Sequence, residues 1–85
     1  MLKRRFKKGE VVFVSNSGSQ YTYTKDGSEG TVKDDTYGSY TDPDRKVCVR
    51  WYKLTNPAAR PPKIYHVRAR HLVLLNPETE SFLDL

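Results

Sequence analysis

Apolar residues in this chain come in five short runs, each set off from the next by turn-forming or polar segments. The runs cover residues 8–14, 30–32, 47–51, 64–67 and 71–75, and each is rich in Val, Ile, Leu or aromatic residues. Such runs, bounded by Gly, Pro, Asn and Asp, predict β-strands. The third is the clearest: Val47, Val49 and Trp51 alternate with Lys46, Cys48 and Arg50, giving one apolar and one largely cationic face. In the first, Val12 and Val14 share one face while Val11 and Phe13 share the other, so the outward residues need partial cover. Residues 68–70 predict one tight helical turn before the last strand. Asn76-Pro77-Glu78 carries a cap, a first-turn proline and an acid, the signals of a short helix start.

Three loops separate the strands. Residues 15–29 are polar and hold Tyr21, Tyr23 and the turn signal Asp26-Gly27; the alternation Tyr21-Thr22-Tyr23-Thr24 predicts an irregular hairpin. Residues 34–44 are rich in Asp, Gly, Ser, Thr and Tyr. Residues 52–63 are punctuated by Asn56-Pro57 and Pro61-Pro62, which excludes them from a central strand. Arg60-Pro61-Pro62-Lys63 is read as a stiff connector rather than a polyproline ligand. The organisation expected is a basic arm over residues 1–8, one β domain over 9–76 and a tail over 77–85.

Length narrows the function classes. A chain of 85 residues buries only roughly 60–65% of its unfolded surface. A cofactor cavity would consume too much of that core, so function is expected on the surface. One cysteine excludes an internal disulfide, and two histidines are too few for a zinc cluster. No apolar run reaches the roughly 18 residues of a membrane span. A soluble, cytoplasmic protein without cofactor is expected.

Charge is blocked along the chain. The net charge is +5. Lys3, Arg4, Arg5, Lys7 and Lys8 open it without an acid; Glu10, Asp26, Glu29, Asp34, Asp35, Asp42 and Asp44 then face only Lys25 and Lys33. Arg45, Lys46, Arg50, Lys53, Arg60, Lys63, Arg68 and Arg70 follow, again without an acid. Such segregation gives a small domain distinct basic and acidic faces that steer charged partners.

The phrases Gly9-Glu10-x-Val12-x-Val14, Gly30-Thr31-Val32, Val47-x-Val49-x-Trp51 and His71-Leu72 together resemble the SH3-like barrels of KOW and Tudor-like type. The likeness covers about residues 8–75 and implies an all-β, five-stranded barrel with long loops and a short C-terminal tail or helix. A narrower likeness, carried by Tyr21, Tyr23, Gly30-Thr31-Val32 and Val47 to Trp51, is to the small SH3-like stromal subunit of photosystem I, and is read as shared fold. The first loop is longer than the KOW pattern allows, so the usual KOW loop is not expected to carry RNA contact here. Signalling SH3 domains are a poorer match, because their Ala-Leu-Tyr-Asp-Tyr-like phrase is missing.

The leading candidate surface combines Lys3, Arg4, Arg5, Lys7 and Lys8 with Arg45, Lys46, Arg50, Arg68 and Arg70 for phosphate contact. Tyr21 and Tyr23, or Tyr37 and Tyr40, would supply base stacking. The plainer reading of Tyr21 and Tyr23 is that their rings cover the open barrel end and keep their hydroxyls wet. An aromatic cage completed by Asp34 and Asp35 is a weaker alternative. His66 and His71 are read as structural, because no orienting carboxylate lies in residues 45–77. Cys48 is read as covered and inert in preference to a thiolate favoured by Arg50. The expected role is a non-enzymatic accessory module docking on nucleic acid or a nucleoprotein complex. The alternative is a protein-docking subunit or small inhibitor whose partner is an acidic protein surface, with no membrane partner. The oligomeric state is left open.

Overall fold

A computed structural model describes residues 4–75. Five antiparallel strands form one sheet: β1 (Val11–Val14), β2 (Glu29–Asp34), β3 (Lys46–Lys53), β4 (Lys63–Arg68) and β5 (Leu72–Leu74). Their order is β4-β3-β2-β1-β5, which leaves β4 and β5 at the two edges. A single 3-10 turn (Ala69–His71) joins those edges through the chain. It stands one residue later than the sequence predicts. Lys3 and the predicted helix start at residue 76 lie outside the described residues.

Strand alternation decides the core. Val12 and Val14 of β1, Val32 of β2, Val47, Val49 and Trp51 of β3, Val67 of β4 and Leu72 of β5 all turn to the same side and are buried. The opposite faces of β3 and β4 carry Lys46, Arg50, Tyr52, Ile64 and His66 exposed, with Cys48 and Arg68 half-covered. Trp51 is the largest fully buried side chain, and its indole N–H donates to the Tyr65 carbonyl at 3.2 Å. Gly30 pairs with Val12 on one side and Trp51 on the other, beside a register shift at Glu29/Gly30 that bends β2.

The first loop forms no strand, contrary to the irregular hairpin its alternation predicts. It is held by side chains instead. Ser17 donates to Asp26 through both its backbone N–H and its hydroxyl, and Asn56 Nδ2 donates to the Thr22 carbonyl at 2.7 Å, tying this loop to the third.

Residues 4–8 form a folded lead-in to β1. Phe6 is part of the buried core, and its backbone N–H donates to Asp35 Oδ2 at 2.6 Å. Arg4 holds Glu10 through two bonds, to Oε1 at 3.0 Å and Oε2 at 2.8 Å, and the Lys7 N–H also donates to that carboxylate. The Arg4 bond holds the Glu10 carboxyl below its ordinary value, helped by Lys7 and opposed by partial burial. A depressed folded-state pKa contributes stability above the unfolded value of about 4.3, lost as pH falls through the folded value. An acid titration of unfolding free energy is therefore expected to slope less steeply in this window for Glu10→Gln than for wild type. Asp26, held down by Ser17, leaves a residual slope in both. Identical slopes would remove Glu10 from the account.

Candidate functional site

The outer face of the β3–β4 hairpin gathers part of the basic surface. Cross-strand pairing sets Lys46 opposite Arg68, Cys48 opposite His66 and Arg50 opposite Ile64. All six residues alternate with the buried set and so project away from the core. Neither strand contains an acid. Like charges directly opposed, as at Lys46 and Arg68, are unfavourable in a sheet.

Beside this face lies an open groove of about 550 Å³, lined by Tyr37, Gly38, Arg45, Lys46 and His66. The second loop forms one wall and the outer face of β3–β4 the other. Tyr37 and His66 meet edge to face, with ring centroids 6.0 Å apart and planes at 67°. Arg5 reaches the same loop from the N-terminal side, donating to the Asp35 carbonyl at 2.9 Å and the Gly38 carbonyl at 2.6 Å.

Beneath the groove sits a buried ion pair. Arg45 Nε donates to Asp35 Oδ1 at 2.7 Å and Arg45 Nη2 to Oδ2 at 2.8 Å, with both side chains fully excluded from solvent. Arg45 Nη1 also donates to the Tyr40 carbonyl at 2.8 Å. The bond to Asp35 raises the guanidinium pKa against the opposing effect of burial, so Arg45 stays charged. This corrects two expectations. Arg45 belongs to no exposed basic surface, because its charge is spent on Asp35. Asp35 in turn is closed to an aromatic cage, and Asp34 accepts from the Thr36 hydroxyl at 2.6 Å.

The remaining candidate residues divide. Arg50 and Lys46 stand exposed on the hairpin face, and Lys7 and Lys8 are exposed on the lead-in. Asp44 pairs with Arg70 at 2.8 Å and approaches Arg68 at 4.0 Å, partly offsetting both. Arg4 is committed to Glu10. Tyr21 does not keep its hydroxyl in water: the oxygen accepts from the Arg68 N–H at 3.1 Å and shares a 2.9 Å bond with His71 Nδ1. Its ring stands edge-on to His71, which is buried. Tyr23 stacks on Tyr65 with centroids 5.8 Å apart and planes at 17°. Both first-loop tyrosines therefore have ring partners inside the domain, while Tyr37, which is 55% exposed, turns one edge contact to His66 and leaves its ring largely open. Position alone separates these tyrosines; their sequence contexts are alike.

Among the described residues, no cluster of three His, Cys, Asp or Glu side chains is placed to hold a metal ion, and no helix is long and apolar enough to cross a membrane. Comparison with protein-family models, curated proteins and solved structures finds no match.

Proposed function

We propose that this chain is a non-enzymatic binding module, an SH3-like barrel of KOW or Tudor-like type, that docks on the phosphate backbone of nucleic acid. The barrel assignment is supported by the strand order β4-β3-β2-β1-β5 and by the 3-10 turn entering β5. The binding assignment rests on one observation: Lys46, Arg50 and Arg68 share the outer face of two adjacent strands that carry no acid. Cations so placed neutralise phosphates and release counterions, giving affinity that falls steeply with salt.

Fluorescence anisotropy with RNA and DNA between about 50 and about 200 mM salt tests this. The double variant Lys46→Ala/Arg50→Ala is expected to lower the log–log salt slope by about 1.4–1.8, since each lost phosphate contact removes about 0.7–0.9. Lys25→Ala, on the first loop, is expected to change nothing. Asp44→Asn is expected to tighten binding about two- to fivefold, because removing the acid beside Arg68 and Arg70 releases both for phosphate. Absence of binding at low salt, or affinity indifferent to Lys46 and Arg50, would sink the proposal.

A further inference from the structure

We propose that the groove between the second loop and β4 is a base-stacking site for single-stranded nucleic acid, with one base seated against Tyr37 and His66 and adjoining phosphates on Lys46 and Arg68. This inference rests on the phosphate-docking reading of the β3–β4 face and assigns it a substrate class.

Geometry selects the class. The groove, at about 550 Å³, lies in the range of sites that take a small planar ligand. Its lining offers the Tyr37 and His66 rings and the exposed cation Lys46, and Arg68 stands opposite Lys46 across the strand pair. A flat aromatic ligand flanked by negative charge matches that distribution. A nucleotide in a single strand has that form, whereas the bases of a duplex present only their edges. Aromatic residues on small β scaffolds stack bases without regard to sequence, because every base has a π-face.

The backbone that presents the ring is also held in place before any ligand arrives. Arg5 anchors the Asp35 and Gly38 carbonyls on either side of Tyr37, and Arg45 anchors the Tyr40 carbonyl beyond it. Gly38, at φ +72°, turns the chain directly after Tyr37 without adding a side chain to the groove. A prepaid loop conformation lowers the entropic cost of binding. Acidic peptide segments satisfy the cations equally but bring no ring face to Tyr37.

The test uses the full chain with a labelled single-stranded oligonucleotide of about ten nucleotides, a blunt duplex of equal length and polyglutamate. Tyr37→Ala is expected to weaken single-strand binding about 5- to 100-fold, Tyr37→Phe to retain it, and duplex binding to be unchanged in both. Because Tyr37 is exposed, folding of the variants is expected to match wild type, and a circular dichroism melt checks this. NMR of the wild-type complex is expected to show upfield-shifted base protons, with perturbation at His66. Binding that depends on Lys46 and Arg50 but ignores Tyr37, or falls equally for duplex and single strand, overturns this inference and leaves phosphate docking standing. Polyglutamate bound as tightly as the oligonucleotide overturns it too. Failure of both nucleic acids to bind overturns both readings.

Discussion

Asp35→Ala is expected to cost about 3–5 kcal/mol of unfolding free energy, the range found when one partner of a buried ion pair is removed. The whole domain, at about 0.05–0.15 kcal/mol per residue, is worth roughly 4–13 kcal/mol, so the variant is expected to stand near its unfolding threshold. The cause is what remains behind. Arg45, fully buried, would keep its charge but retain only the Tyr40 and Asp42 carbonyls as acceptors. The Phe6 N–H, buried and now bonded to Asp35, would lose its acceptor as well. Urea titration reads the loss directly; by melting, each kcal/mol corresponds to roughly 4–8 °C. Asp35→Ala/Arg45→Met is expected to recover most of the loss, since an apolar replacement of the pair removes the stranded charge. A single variant losing less than about 1 kcal/mol would show that the pair does not hold the second loop to the lead-in.

That pair also marks where sequence reading stopped. The strand phrases, their order and the inward set Val47, Val49 and Trp51 are all visible in local alternation, because period two is a property of neighbouring residues. Gly9, legible as a turn ahead of the first strand, takes φ +91° just before β1 opens at Val11. Phe6 is hidden for a different reason: a lone aromatic among five cations has no periodicity to announce its burial. Charge counting misleads in the same way. Summed by block, Arg45, Arg68 and Arg70 look free, yet Asp35 and Asp44 from the preceding acidic block answer them once the second loop folds back. Lys46 and Arg50 of β3 stand exposed outside this pairing, whereas Lys53 at the end of the same strand approaches Glu29 at 3.9 Å. Likewise Tyr21 meets Arg68 and His71 some fifty positions later, a contact that no local pattern encodes. The groove at Tyr37 belongs to the same category, since its two walls are separated by a whole hairpin.

Gly30→Ala is expected to destabilise the domain by about 3 kcal/mol, at or beyond the upper end of ordinary overpacking. Elsewhere in a strand this change would stabilise by about 0.5–1 kcal/mol, because alanine loses less backbone freedom on folding. The sign reverses here for want of space. An added Cβ would lie 2.6 Å from the Arg50 carbonyl oxygen, 2.7 Å from Val49 Cγ1 and 3.0 Å from Trp51 Cε3. Two of those neighbours are side chains in the centre of the core, and the third is the backbone of the strand β2 pairs with. Relief would require β2 and β3 to part, at the position where Gly30 is paired to both neighbours. Trp51→Phe removes one of the three contacts and not the Arg50 oxygen, so Gly30→Ala/Trp51→Phe is not expected to recover stability. Gly18→Ala supplies the comparison: its site is open, but φ of +59° is left-handed, and the expected loss is about 1–2 kcal/mol from backbone strain alone. If Gly30→Ala retained the wild-type urea midpoint and Trp51 emission, β2 would have to sit farther from β3 than this packing places it. The Gly-Thr-Val phrase would then mark a flexible turn in place of a close strand crossing.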